Sequence, residues 1–400
     1  MTSAHAASCS VEALREALGS DAVLTGERAA AYGLGGTAPA AAVLPRDEAD
    51  VSRTLAVAFR DGLGVVPWGG GVHQSLGRAP SRYDVALDLA RLNRVLAYEP
   101  ADMTATVQAG IRLADLQERL GEAGQLWPLD PPRADQATVG GIVAAGLAGP
   151  LRCRYGTARD LVLGVRVAHA DGTISKAGSR VVKNATAYDL TKLYAGSYGT
   201  LGVVLEATLR LQPRPAVEGG WLLAGATIER CHDAVMRILG SHLAPTRVEL
   251  LDGVCLGRCG LSASESAVAV SFAGVRGAVQ DQGESVRSMA GELGLRIGEI
   301  EDRAHLWRVV RDFPWPAQGP DSSAITVLWR GSVPPSDGGK AVQAVRHAVV
   351  GHGEVAIAAT ASHGALRGAL RATTSDLAAR GVAAAREALT ALGGFLVVME

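Results

Sequence analysis

The segment Val65-Val66-Pro67-Trp68-Gly69-Gly70-Gly71-Val72-His73-Gln74-Ser75-Leu76-Gly77 constrains this chain more than any other. A β-prone run stops abruptly in three consecutive glycines. Residues without side chains let successive backbone N–H groups converge on one point, and such a nest holds a phosphate without any basic side chain. A strained turn needing positive φ asks for the same residues, so the triplet alone leaves both readings open. Gly33-Leu34-Gly35-Gly36-Thr37-Ala38 superficially matches the dinucleotide fingerprint G-x-G-x-x-A. It follows a helix-like alanine run instead of a strand, and no clear helix begins inside it, so the context a Rossmann loop requires is missing.

Around the triplet the hydrophobic periodicity divides the chain. Ser10 reads as the cap of a helix over Val11 to Leu18, and Asp47 opens a second helix with Val51, Leu55, Ala58 and Phe59 on one face. From Leu63 β-rich runs dominate, at Leu63 to Trp68, Tyr83 to Leu89, Met103 to Ala109, Leu161 to His169 and Gly202 to Gln212, with Asp171-Gly172 as a hairpin turn. Helices interrupt this region only briefly, so it reads as α+β. Gln212-Pro213-Arg214-Pro215 interrupts both ladder and helix bonding, and predicts a boundary giving domains 1–214 and 215–400. Beyond it the order β-α-β-β-α-β occurs twice, from Trp221 to Ile300 and from Ile325 to Met399. That is the split unit of ferredoxin-like domains, and it predicts an antiparallel sheet with helices on one side, covering the first domain.

With 39 Lys plus Arg against 40 Asp plus Glu in 400 residues, the chain carries a formal charge of -1. That balance gives no electrostatic case for nucleic acid or anionic membrane, and points to a small molecule or another protein. The five cysteines are odd in number and scattered, and the start lacks a basic stretch followed by an apolar run. A reduced, cytoplasmic setting is expected, peripheral to a membrane only through partners. Val139 to Gly149, the most apolar glycine-rich stretch, is too short to span a bilayer.

Four blocks set the triplet in company: VVPWGGGVHQSLG from Val65, LDPPRADQATVGGIVAAGLAGPLRCRYGTARDLVLGV from Leu129, SRVVKNATAYDLTKL from Ser179 and GSYGTLGVVLEATLRL from Gly196. Together they resemble the FAD-binding domain of the vanillyl-alcohol oxidase and p-cresol methylhydroxylase superfamily, and within it the FAD-binding subunits of glycolate oxidase. The resemblance implies a two-part FAD-binding domain followed by an antiparallel covering domain, and FAD held non-covalently. Carried over by motif, Trp68, Gly69, Gly70, Gly71, Val72, His73, Gln74 and Gly77 would form the pyrophosphate loop. Pro132, Thr138, Gly140, Gly141 and Ala144 would line the flavin and its phosphates, continued by Tyr155, Gly156 and Thr157. Gly199, Gly202 and Val203 would meet the adenosine end or ribityl chain. Val72 stands where relatives often carry Thr, and Ala187 where they carry Gly. The Phe-Asp-Pro and Asn-Pro-Gly stretch that usually returns to the flavin domain does not follow, which raises truncation or divergence at the C-terminal end. His73 lies one residue beyond the position of a histidyl flavin linkage, so covalent attachment is not expected.

The implied reaction is oxidation of a short 2-hydroxy acid such as glycolate. It needs a cation for the substrate carboxylate, a base for the hydroxyl proton and positive charge beside the reduced flavin. Arg152 and Arg154 are the candidate carboxylate or phosphate binders. His363 is the candidate base and Lys183 the candidate flavin cation. Each residue type is also common on solvated surfaces. Position 370 is Leu370, not the paired histidine of metal-using relatives, so no metal is expected. Cys255-x-x-x-Cys259 falls short of an iron–sulfur motif. The resemblance therefore implies electron transfer to partners, a related flavoprotein subunit and an iron–sulfur subunit. It also leaves open a non-catalytic FAD-binding subunit of the same kind of complex.

Overall fold

The computed structural model describes residues 3–178, 189–225, 227–261, 265–315 and 324–400. The chain divides into two compact units, one of Met1–Ala148 with Gly156–Arg214 and a second of Gly149–Tyr155 with Pro215–Glu400.

Among the described residues the first unit carries two larger sheets and a short antiparallel pairing of Gln212–Pro213 with Gln125–Leu126. One contains β1 (Val23–Leu24), β2 (Ala41–Val43), β3 (Val65–Trp68) and β4 (Val85–Asp88), in the order β1-β2-β4-β3. β2, β4 and β3 are parallel, with β1 antiparallel on the edge. Parallel strands need a crossover, and the helix Glu48–Asp61 follows β2 to supply one. Asp47 caps it by accepting from the Asp50 N–H at 2.8 Å, as its sequence position predicts. Ser10 does not cap. The first helix runs Ser3–Leu18, and the Ser10 hydroxyl lies inside it, bonded to the Asp61 carboxylate at the end of the neighbouring helix.

The other sheet is antiparallel throughout: β5 (Val95–Glu99), β6 (Thr104–Gln108), β7 (Val162–Ala168), β8 (Ile174–Gly178) and β9 (Val203–Arg210), ordered β5-β6-β9-β7-β8. Asp171 and Gly172 turn β7 into β8, with Asp171 Oδ1 accepting from the Thr173 N–H at 2.9 Å and Gly172 at a φ of 88°. The glycine-rich helix Val139–Ala145 packs against β9, and its Ile142 and Val143 are buried.

The second unit is built on one eight-stranded antiparallel sheet. Its strands are β10 (Val217–Gly225), β11 (Arg247–Leu251), β12 (Ser266–Gly274), β13 (Arg296–Glu299), β14 (Ile325–Ser332), β15 (Glu354–Thr360), β16 (Ala365–Ala372) and β17 (Phe395–Val398). The order β13-β10-β12-β11-β15-β16-β14-β17 is the ferredoxin-like 4-1-3-2 followed by its reverse. The second strands of the two repeats, β11 and β15, meet in the middle through Leu250 with Ala359 and Leu251 with Ala358.

Helices Ile228–Leu239, Arg276–Glu292, Gly338–Ala348 and Ser375–Thr390 cover one face, burying Val235, Ile238, Val286, Val342, Val345 and Leu389 with the strands. The other face is not bare. Helices Gly253–Arg258 and Arg303–Asp312 place Cys255, Leu256, Leu306, Trp307 and Val310 against Leu251, Ala267, Ala269, Ala356 and Ala358. The expectation of helices on one side is thus corrected: the links between the repeated strands carry apolar residues that must also be buried. No helix among the described residues is long and apolar enough to cross a membrane.

Residues 149–155 depart from a single cut after residue 214. Their short helix Arg152–Tyr155 packs on β11, and Cys153 Sγ lies 3.9 Å from the Pro245 carbonyl, so packing places this stretch with the second unit.

Candidate functional site

β3 ends where the glycine triplet begins, at the wall of a cleft within the first unit whose empty volume is about 760 Å³. The loop is held from below. Trp68 Nε1 donates to the Tyr83 hydroxyl at 2.8 Å, which donates to the Tyr32 carbonyl at 2.8 Å. The Tyr32 hydroxyl in turn donates to Asp88 Oδ2 at 2.6 Å, and its ring meets Trp68 edge-on at 5.0 Å. Gln74 Nε2 folds back onto the Pro67 carbonyl at 2.9 Å, and Arg133 Nη1 reaches the Val72 carbonyl at 3.2 Å. With its side chains and flanks fixed in this way, the loop leaves the N–H groups of Gly69, Gly70 and Gly71 unclaimed by backbone carbonyls among the described residues.

The glycines serve different ends. A Cβ on Gly69 would stand 2.2 Å from Thr138 Oγ1, and one on Gly70 would stand 1.9 Å from the Gln136 carbonyl oxygen. Both mark close approach of two chain segments. Gly71 needs its freedom for a φ of 69°. Gly140 abuts Ala109, whose Cβ would lie 2.6 Å from an added Cβ, whereas Gly141 would meet only Thr138 Oγ1, at 3.2 Å. Gly141 therefore keeps the cleft open more than it permits packing, whereas Gly199 needs its freedom for a φ of 72°.

His73 also lines the cleft. Burial, reinforced by the Arg133 charge and opposed by a hydrogen bond to the Pro132 carbonyl, lowers it from 6.5 to about 4. It is neutral at pH 7. Among the described residues, no Lys, Arg, Asp or Glu lines the cleft.

Of the residues singled out by sequence, Trp68, Gly69, Gly70, Gly71, Val72, His73, Gln74, Thr138, Gly140, Gly141, Ala144, Gly199, Gly202 and Val203 line this cleft together. Gly77, Pro132, Tyr155, Gly156 and Thr157 are not part of the lining. Gly156 takes a φ of 82° and Thr157 donates from its N–H and hydroxyl to Asp160 Oδ2 at 2.8 and 2.9 Å, so this pair forms a helix entry. Tyr155 belongs to the second unit. Sequence reasoning passed over Tyr198, Leu89 and Ala109, which also line the cleft. Only Tyr198 carried a signal, its place beside Gly199.

Lys183 lies outside the described residues. Arg154 and His363 are exposed and both belong to the second unit, where the helix Arg152–Tyr155 and the turn Ala361–His363 pack on β11. Ser362 joins them, with its hydroxyl 2.8 Å from His363 Nδ1 and hydrogen-bonded to the Cys153 thiol. Burial pushes that thiol up, and pushes the thiol of Cys259 up to about 11.

The comparisons with known proteins bear on the cleft directly. The family described as FAD binding domain matches residues 39–178, which span the glycine loop and the Thr138–Ala144 wall. Residues 39–178 are an FAD-binding domain. Its fold is the p-cresol methylhydroxylase type: the substrate-bound p-cresol methylhydroxylase structure matches with a TM-score of 0.76 at 15% identity, covering 98% of this chain and 88% of that one. Among curated proteins, the mitochondrial D-lactate dehydrogenase [cytochrome] of Arabidopsis thaliana is 32% identical over 69% of this chain and 50% of its own length. Glycolate oxidase subunit GlcD of Bacillus subtilis is 32% identical over 54% of this chain and 46% of that protein. Subunit GlcE of Escherichia coli is 32% identical over 62% of this chain and 63% of that protein. The chain thus spans about half the length of the first two. FAD is the cofactor of the domain. The cleft fits it, since the free glycine N–H groups suit a diphosphate and the glycine and alanine wall leaves room for flat rings.

Proposed function

We propose that this chain is a component of an FAD-dependent oxidoreductase that oxidises a short 2-hydroxy acid such as glycolate and passes the electrons to a partner. The observation that carries the reading is the glycine-walled cleft inside an FAD-binding domain, in a chain similar to glycolate oxidase subunits and a D-lactate dehydrogenase. On this reading the N–H groups of Gly69 to His73 hold the diphosphate. Thr138, Gly140, Gly141 and Ala144 wall the flavin, and Gly199, Gly202 and Val203 meet the adenosine end or ribityl chain. Pro132 serves through His73, whose neutral imidazole it orients. Bound FAD supplies a two-electron acceptor. Arg154 pairs with the substrate carboxylate, His363 takes the hydroxyl proton, and Lys183 lends positive charge to the reduced cofactor.

Electrons must leave, and the cysteines of this chain offer neither a four-thiolate cluster motif nor a C-x-x-C-H haem motif. An iron–sulfur protein and a related flavoprotein subunit are the proposed partners, in a cytoplasmic complex. A second reading, a non-catalytic FAD-binding subunit, draws support from a cleft lining that carries no Lys, Arg, Asp or Glu among the described residues. Anaerobic addition of glycolate, D-lactate and L-lactate to the purified chain separates the two. Bleaching of the flavin by one of them supports the enzyme. A flavin that stays oxidised alone, and bleaches only with the co-purified partners, supports the binding subunit.

A further inference from the structure

Tyr198 sits in the cleft at a backbone conformation that its side chain makes costly. Its φ is 55°, in the left-handed region where a residue with a Cβ is strained. Gly196 and Gly199 on either side also have positive φ, at 86° and 72°. A glycine at 198 would have completed this turn without strain. The turn itself is fixed, because the Gly196 N–H donates to the Val143 carbonyl at 2.9 Å and the Tyr198 N–H to the Ala144 carbonyl at 2.8 Å. The ring gains little from burial, since the residue is 45% exposed. Its position is what stands out: it lines the cleft, where Gly140, Gly141 and Ala144 offer a flat ligand nothing larger than a methyl group. Planar heteroaromatic rings bind well on an aromatic face, and FAD presents two of them.

We infer that Tyr198 is a further cofactor-binding residue, whose ring packs against one of the planar rings of FAD. The inference rests on FAD occupying this cleft. The full-length chain, stripped of flavin and titrated with FAD, tests it through the dissociation constant and the melting temperature of the apoprotein. Tyr198→Gly removes ring and strain together. It is expected to weaken FAD binding by roughly five- to one-hundredfold, the range of aromatic stacking on a base, while the apoprotein melts at the same temperature or higher. Tyr198→Phe keeps the ring and retains affinity within about twofold. Weaker competition by ADP against FAD in Tyr198→Gly assigns the contact to the adenine. Brighter emission from the bound flavin, with ADP competition unchanged, assigns it to the isoalloxazine. Unchanged FAD affinity in Tyr198→Gly overturns the inference, as does a loss matched by a lower apoprotein melting temperature, which makes Tyr198 a packing residue. A parent chain that takes up no FAD overturns the cofactor assignment instead.

Discussion

Gly70 and Gly141 line one cleft and are glycines for opposite reasons. Sequence reasoning treats the triplet as a nest in which a side chain would block phosphate and disfavour positive φ. Only Gly71 of the three has a positive φ, and Gly70 is demanded by the Gln136 carbonyl, 1.9 Å from where a Cβ would stand. Gly70→Val is therefore expected to lose both FAD and fold, with a stability cost of about 2–3 kcal/mol or more. A thermal melt beside a flavin assay checks this, and a variant that melts like the parent would refute it. What was legible at this scale was that side chains are excluded. Which neighbour excludes them was not, because Gln136 is far away in sequence.

His73 carries a pH signature. Its folded value of about 4 lies below the ordinary 6.5, so between the two the unfolded chain takes up a proton that the folded chain refuses. The stability contributed by neutral His73 is complete above about pH 6.5 and is lost as pH falls toward 4. Melting temperatures of the parent should fall more steeply than those of His73→Gln across that window. Parallel curves would contradict the burial argument.

At the scale of elements, the two β-α-β-β-α-β passes were legible because caps and periodicity agreed. Thr227 and Thr374 cap their helices through the Arg230 and Leu377 N–H groups, and the apolar faces of those helices point to one core. The helix Arg303–Asp312 was not legible, since its apolar Leu306, Trp307 and Val310 are interleaved with Arg303, Arg308 and Arg311. Arg152–Tyr155 misled in the other way. It continues an FAD-like block in sequence, yet β11 claims it by packing. Both errors have one source, which is that local pattern does not name the distant strand that supplies the contact.

Across the second face runs a buried ion pair that no periodicity announces. Arg367 Nη2 donates to Glu249 Oε2 at 2.6 Å, and its Nη1 donates to the Val310 and Phe313 carbonyls at 2.8 and 3.2 Å. It therefore ties β16 to β11 and to the end of the helix Arg303–Asp312. Arg367→Ala strands the Glu249 carboxylate and should cost about 3–5 kcal/mol, whereas Glu249→Leu combined with Arg367→Met should cost much less. Denaturant unfolding measures both. Equal losses in the single and the double variant would mean that volume, not charge, decides.

For the whole molecule, the FAD-binding domain and the repeat-built sheet are separate compact units. The cleft belongs to the first, while Arg154 and His363 belong to the second. Arg154→Ala should raise KM for the hydroxy acid about tenfold or more with the FAD content unchanged, as expected for a lost charge-assisted pair. An unchanged KM would remove Arg154 from the site. The central claim is that the cleft around Gly69 to Gly71 holds FAD without a covalent bond, and Gly141→Leu tests it most directly. An added Cβ there meets only Thr138 Oγ1, at 3.2 Å, so folding should persist while the longer side chain fills the cradle. The expected result is one FAD per parent chain, released into the supernatant by acid, and a Gly141→Leu chain that melts near the parent temperature but carries little flavin. Flavin that precipitates with the polypeptide, or a folded Gly141→Leu chain carrying as much FAD as the parent, would contradict it.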